Sequence, residues 1–469
     1  SLNQTLAALG RGYFSRWPYV MSIEYVIQLG PKDMPKSSAM ENANLAKRID
    51  FINPEGGLAI GVQTLLDEVD QLGLTPSETA IDLFILAAAV FGSDTSYDRE
   101  RLTEDNWTRQ FRLFVPVSEP DKWNHSASHL NQMLQFLTGD FWEFVFRSRP
   151  KKHKSLANKA DSIPLTDYDT VSLFSGGLDS LIGAIDLLNE GKKPLLVSHY
   201  WDAQASSAQK RMMDAFKVKF KGERYEILRA SIGLSKHDLP SAGSDGNQRA
   251  RSFLFFAMAA LVADAAKINS VLIPENGLIA LNVPMEPFRL GSHSTRTAHP
   301  FFIECVTKLA QSIDLNIDFT NPFKFKTKGE MVAECKDRPF LQQIAHDSMS
   351  CSSPAKARWS GMPPQHCGYC VPCLIRRASL QTGLGIADQT VYGVPSLSGT
   401  FDSKTAQGEH LRSFLLASKR LQKKPELSRF LVRKSGPLDS PDINAFSDMY
   451  ARGMAEVATL LTNTKARHV

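Results

Sequence analysis

Cysteine is scarce in this chain, with six in 469 residues. Three of them, Cys367, Cys370 and Cys373, crowd into one short stretch. That distribution argues against a disulfide framework and predicts a metal knuckle in a reducing, cytoplasmic setting. No apolar run approaches the ~18 residues of a membrane span, so no membrane partner is expected. The opening segment SLNQTLAALGRGYFSRW has no basic start ahead of an apolar core and a small-residue cleavage site, and does not read as a secretory leader. No repeat of fixed period is visible. Neither charge sign dominates: Lys+Arg number 54 and Asp+Glu 49, a net +5 that permits contact with a polyanion without requiring it. Hydrophobic residues at 43% and charged residues at 22% exclude wholesale disorder. At about 150 residues per domain, the length corresponds to about three domains, or one large domain with additions.

The pattern along the chain divides it into four parts. Residues 1–150 read as an α+β accessory or partner-binding domain. It has a helical rhythm over Leu58–Leu74, an apolar helix over Thr79–Phe91, and a strand at Phe111–Val117. A further helix-like stretch from Leu130 then turns at Gly139-Asp140 into an alternating aromatic strand. The stretch Arg147–Pro164 is basic and turn-rich and reads as an exposed boundary, with residues 151–168 as the basic linker. From Asp169 short apolar strands alternate with helices, which predicts an α/β unit with a mostly parallel sheet over 169–390. Ligands of such sheets bind beyond the carboxyl ends of the strands. Residues 391–469 read as a helical addition, clearest at Glu409–Leu421 and Ile443–Leu461.

The sharpest motif is VSLFSGGLDSL, Val171–Leu181. It runs from a strand through Ser175, Gly176 and Gly177 into a helix that opens near Asp179 and Ser180. Two glycines let the backbone turn tightly and approach a ligand. The helix start adds unsatisfied N–H groups and a partial positive charge, so together they form an anion site. It is neither a GxxxxGK[ST] nor a GxGxxG loop. Asp179 is an awkward neighbour for pyrophosphate unless Mg²⁺ or the substrate supplies a partner.

The second motif is Cys351, then Cys367, Cys370 and Cys373. Four thiolates surround one Zn²⁺ tetrahedrally in a closed, structural site. An iron–sulfur cluster is the alternative for CxxCxxC spacing. His366 reads as a surface histidine.

SGGxDS resembles the pyrophosphate loop of the N-type ATP pyrophosphatases. The two motifs together, with Cys367-Gly368-Tyr369-Cys370-Val371-Pro372-Cys373, Arg376 and the segment NPFKFKTKGEMV, resemble 7-cyano-7-deazaguanine synthase. The resemblance covers Val171–Arg377. It implies an adenine-nucleotide α-hydrolase-like core, ATP and Mg²⁺ as well as Zn²⁺, and adenylation of a 7-carboxy-7-deazaguanine-type carboxylate. It places Ser175, Gly176, Gly177, Asp179 and Ser180 at ATP, with Tyr200 and Gln204 as adenine-side counterparts. Asp179, Arg249 and Lys328 are the catalytic candidates, Asp179 at ATP and Mg²⁺ and the two cations for charge stabilisation near the substrate or leaving group. Glu275, Asn276, Arg289, Arg296 and His299 are candidate substrate contacts, Asn276 as a reader of a purine edge. Where the family has a Tyr-Pro-Asp-Cys-Arg-like stretch, this chain has STRTAHP, Ser294–Pro300, which puts the usual substrate pose and product in doubt. The length and additions are similar to larger relatives in anti-phage operons of the Qat and type IV CBASS kinds. That similarity implies transfer of the acyl group to an amine of an operon-encoded acceptor protein. The alternatives are an ammonia-using 7-cyano-7-deazaguanine synthase, a tRNA-modifying adenylating enzyme, and a non-catalytic nucleotide-binding interaction protein. tRNA is the less favoured partner, and a homo-oligomer is compatible with the sequence.

Overall fold

The computed structural model describes residues 22–36, 39–40, 46–99, 108–157, 167–200, 203–233, 248–285, 296–352, 354, 361, 363–385 and 388–468. The chain is α/β, with two parallel sheets and a helical third part.

The first sheet contains β1 (Ile23–Gln28), β2 (Lys47–Asp50), β3 (Gln110–Val117) and β4 (Phe141–Ser148), in the order β2-β1-β3-β4. Every pairing in it is parallel, with Tyr25 opposite Leu113 and Leu113 opposite Phe144. This corrects the expected α+β character: the first part is itself a parallel α/β unit. Strand pattern alone does not reveal direction. The long crossover helix α3 (Pro120–Thr138) between β3 and β4 is what permits parallel pairing. Gly139 ends α3 at a φ of 78°, and Trp142, Phe144 and Phe146 then alternate inward as expected.

Among the described residues, two other helices precede β3, α1 (Val62–Gln71) and α2 (Glu78–Thr95). Ser77 caps α2 by accepting the Ala80 N–H. Helix α2 is buried along almost its whole length, Asp82 and Asp94 included, so it is surrounded by the rest of the fold.

The second sheet has the order β7-β6-β5-β8-β9, again all parallel. Its strands are β5 (Thr170–Leu173), β6 (Pro194–His199), β7 (Glu226–Ala230), β8 (Ser270–Leu272) and β9 (Asp318–Thr320). The chain builds outward from β5 to β7, then returns to the other side of β5 with β8. That reversal leaves a crevice between the carboxyl ends of β5 and β8, the switch point at which open α/β sheets bind ligands. The helices of this part are α4 (Leu178–Asn189), α5 (Ala203–Lys219), α6 (Arg251–Ala266), α7 (Gly277–Leu281), α8 (Pro300–Ser312), α9 (Lys328–Glu334), α10 (Arg338–Ile344) and α11 (Val371–Leu384).

The first part is not a detachable domain. Helix α2 packs on α6, and one continuous apolar core joins residues of both sheets, including Leu83, Phe84, Leu113, Val171, Val197, Phe253 and Ala257. Polar ties cross the same seam. Asp94 accepts the Ala250 N–H at 2.9 Å, Asp264 the Ser77 N–H, and Glu68 the Arg229 N–H. The expected exposed linker is also corrected at its start. Arg149 is buried and paired with Asp82 and Glu78, because β4 runs on to Ser148 and carries it inward.

The last part holds α12 (Ala406–Lys423), α13 (Leu427–Arg433) and α14 (Ile443–Leu460). It adds a short parallel pair, β10 (Gly399–Asp402) with β11 (Thr464–Arg467), which the helical expectation missed. Leu411, Phe414, Phe446, Met449 and Met454 form a separate core with Leu278 and Leu281 of α7 and Leu374 of α11. Among the described residues, no helix is long and apolar enough to cross a membrane.

Candidate active site and metal centre

The Ser175–Gly177 loop leaves β5 directly at the switch point. Gly176 has a φ of 89°, and a Cβ there would stand 3.1 Å from Gln209 Cγ, so both conformation and space call for glycine. Gly177 begins α4 without a side-chain cap, which leaves N–H groups of the first turn available to an anion. The hydroxyls of Ser175 and Ser180 lie 3.2 Å apart, and Ser180 Oγ donates to the Gly177 carbonyl at 3.0 Å.

Opposite the loop, β8 delivers Glu275 and Asn276, and α9 delivers Lys328. Asp179 is the meeting point. It accepts from the Asn276 N–H at 3.0 Å and from Asn276 Nδ2 at 2.7 Å. Lys328 Nζ lies 3.0 Å from Asp179 Oδ1, with both side chains almost wholly withdrawn from solvent. The contact is an ion pair and not a directed hydrogen bond, and Oδ1 has no hydrogen-bond donor. Burial opposes ionisation of Asp179. The Lys328 ammonium and hydrogen bonds from Glu275 and Asn276 outweigh it and hold the carboxyl below the usual range. Burial and the Asp179 carboxylate push Glu275 well above the usual carboxyl range, and Glu275 Oε1 accepts from Asn276 Nδ2 at 3.3 Å. The partner that Asp179 lacked in the sequence is therefore supplied by the fold.

Several predicted contacts have other employment. Asn276 caps α7 through Oδ1, which accepts the Ile279 N–H, while Nδ2 serves Asp179. Its amide is thus engaged at both ends and does not present a free edge to a purine. Arg249 is buried and donates to the Thr138 carbonyl at 3.2 Å, tying the approach to α6 to the first sheet unit. Arg296 stacks on Phe136 at 4.4 Å and donates to its carbonyl. His299 is fully buried, accepts the Phe301 N–H to cap α8, and meets Ser435 Oγ at 3.0 Å. Arg289 lies outside the described residues. Tyr200 sits at the end of β6 with Arg229 over its ring at 5.0 Å, and Gln204 lies half-buried in the first turn of α5.

Sequence reasoning missed Gln209. Its amide donates to the Ser175 carbonyl at 3.2 Å and accepts from Arg229 Nε at 3.2 Å, bracing the loop from behind. The signal was present: Gln209 interrupts an otherwise apolar face of α5 with Ala208, Met212 and Phe216.

The four cysteines converge. All four sulfurs lie within 4.8 Å of one another, with Cys351–Cys370 and Cys367–Cys373 each at 3.9 Å. Four thiolates about 2.3 Å from a tetrahedral zinc stand roughly 3.8 Å apart, so the group fits one ion. Bound there, the metal would act structurally, because the protein fills all four positions. His366 is buried, not at the surface, and accepts the Ser350 N–H at 3.1 Å. Burial pushes its pKa down to about 3, which keeps that nitrogen free to accept. Arg376 donates to Ser348, Ala345 and Thr390, and the Met349 N–H reaches the Gly176 carbonyl at 2.8 Å. The knuckle thereby grips the Ser175–Gly177 loop.

No protein-family model matches the chain, and no curated protein matches it significantly.

Proposed function

We propose that this chain is an AMP- and pyrophosphate-forming ligase that adenylates a 7-carboxy-7-deazaguanine-type carboxylate and passes the acyl group to an amine. In this reading the acceptor is an operon-encoded partner protein in anti-phage defence. One observation carries the ligase reading: the SGGLDS loop lies at the switch point of a parallel sheet, with an uncapped helix start on one side and a buried Asp–Glu–Lys group on the other. The loop offers N–H donors to the β- and γ-phosphates. Asp179 and Glu275 suit Mg²⁺, because two buried carboxyl groups share one place beside the loop and the Asp179 charge opposes ionisation of Glu275 there. A bound Mg²⁺ would neutralise phosphate charge. Lys328 supplies fixed positive charge beside that position, where a low-dielectric setting strengthens it.

A carboxylate oxygen attacks the α-phosphorus and pyrophosphate leaves. The amine nitrogen then attacks the acyl carbon, AMP leaves, and the amine gives up a proton. The chain's part is positioning and electrostatics. Arg249 drops out of this reading, since its described hydrogen bond belongs to the inter-sheet seam.

The test is mass-resolved chromatography of nucleotide products. The protein is incubated with ATP, Mg²⁺ and 7-carboxy-7-deazaguanine, with ammonia, the neighbouring operon protein or tRNA in separate arms. AMP with an amide, nitrile or protein adduct supports the ligase and names its acceptor. AMP release that depends on tRNA would transfer the reading to RNA modification. ATP left intact, or ADP in place of AMP, in every arm would overturn it.

A further inference from the structure

The chain's net charge of +5 is unevenly placed. Residues 412–434 contain eight cations, Arg412, Lys419, Arg420, Lys423, Lys424, Arg429, Arg433 and Lys434, against one carboxylate, Glu426. This segment therefore carries +7, and the remainder of the chain sums to −2. All eight cations are exposed, and among the described residues no ion pair engages any of them. Elsewhere in the fold arginine and lysine are commonly paired, as at Arg109, Arg147 and Lys328. Unpaired like charge at this density costs self-repulsion unless a polyanion relieves it.

The arrangement is linear. Arg412, Lys419, Arg420 and Lys423 recur at helical spacing along the solvent face of α12 and span about 16 Å at 1.5 Å per residue. The same exposed stripe carries Leu416. The opposite face, Leu411, Phe414, Ala417 and Leu421, is already spent in the protein core. No apolar face therefore remains to enter a bilayer, which an interfacial helix requires. After the turn at Lys424, α13 presents Phe430, 58% exposed, with Lys434 Nζ 4.8 Å from its ring. An exposed aromatic with a lysine over its ring, in a segment rich in exposed cations, is the combination that binds nucleic acid, the cations tracking phosphates and the ring stacking on a base.

We propose that α12 and α13 form a nucleic-acid-binding surface that reads the phosphate backbone and is anchored by Phe430. This goes beyond the ligase reading and does not depend on it.

The test uses the full chain and fluorescence anisotropy. The probes are end-labelled single-stranded RNA and DNA of one sequence, about 20 nucleotides, and the corresponding duplexes. Salt is varied for each. Binding should weaken steeply with salt. Combined Lys419→Ser, Arg420→Ser, Lys423→Ser and Lys424→Ser should raise Kd at least about tenfold. It should also reduce the log–log salt slope by about 0.7 for each phosphate no longer neutralised on a single strand. Phe430→Ala should weaken the single strands more than the duplexes. The RNA and DNA arms identify the natural ligand class. Absence of binding, an unchanged slope in the quadruple variant, equal displacement by polyglutamate of matched charge, or binding confined to phosphatidylserine vesicles would each overturn the proposal. Circular dichroism checks that the variants fold, and their exposed positions lead us to expect that they do.

Discussion

The ammonium of Lys328 and the carboxylate of Asp179 form a buried ion pair that joins the first turn of α9 to the first turn of α4. A buried pair is not a strong source of net stability, but breaking it from one side is costly, about 3–5 kcal/mol, because the survivor is left without compensation. The neighbouring Glu275 makes the two halves unequal. In Asp179→Asn, Lys328 still faces Glu275, which can ionise in place of Asp179. In Lys328→Met, two carboxyl groups face each other without a cation. Lys328→Met should therefore lower the urea midpoint more than Asp179→Asn does. Both should reduce AMP formation at least about hundredfold, in line with loss of a preorganised charge. Undiminished turnover in Asp179→Asn would sink the site assignment.

Glu456 on α14 reaches the same turn of α9 from the other side. It accepts hydrogen bonds from the Thr327 hydroxyl and the Gly329 N–H, while Arg452 one turn earlier pairs with Glu330. Thr327 and Glu330 form the capping box of α9, so the C-terminal part holds both ends of that box. A Cβ at Gly329 would stand 2.5 Å from Glu456 Oε1. Glu456→Ala should cost about 1–3 kcal/mol through two orphaned donors. Gly329→Ala should destabilise the native chain, yet add much less in the Glu456→Ala background, where the obstructing carboxylate is gone. Simple additivity of the two changes in urea denaturation would defeat this account.

Removal of metal from the cysteine group should loosen the Ser175–Gly177 loop, because Met349 and Arg376 link the two. Elemental analysis should find about one zinc per chain. Chelation or Cys373→Ser should expose the Gly176–Gly177 peptides to faster hydrogen exchange and raise KM for ATP. Intense visible absorbance of an iron–sulfur cluster would refute the zinc assignment. Unchanged exchange after zinc loss would refute the link.

Much of this was legible in residue order. The strands and helices of the second sheet follow from short apolar runs between turn signals, and the glycine pair and cysteine spacing marked the two sites. Three things were not legible. The direction of β1 and β2 is a pairing property, and neither short strand has a strong alternating pattern. The employment of Asn276, Arg296 and His299 depends on partners 97 to 160 residues away or on local caps, and polar residue type alone does not separate a cap from a ligand contact. The role of Glu456 was invisible because a carboxylate on an amphipathic helix ordinarily faces solvent.

Two histidines should give the fold an acid-sensitive edge. His199 is buried where β6 ends, its ring against Phe91 at the inter-sheet seam, and His299 is buried at the start of α8. Burial pushes both down to about 3, assisted by Arg251 near His199 and Arg296 near His299. The ordinary value is 6.5, so between 6.5 and about 3 the unfolded chain binds protons that the folded chain excludes. Stability must then rise with pH through that window, reach its full value above 6.5, and fall on acidification. At about 1.4 kcal/mol per pKa unit, the two together should remove roughly 2.4 kcal/mol between pH 6 and pH 5. Carboxylates also titrate as pH falls, so the histidine share is isolated by difference. His299→Gln keeps a neutral polar side chain and should lower stability at pH 7.5 by losing the Phe301 cap, yet show a shallower loss toward pH 5. Urea midpoints across that range read both effects, and parallel curves for the two proteins would rule out a neutral buried His299.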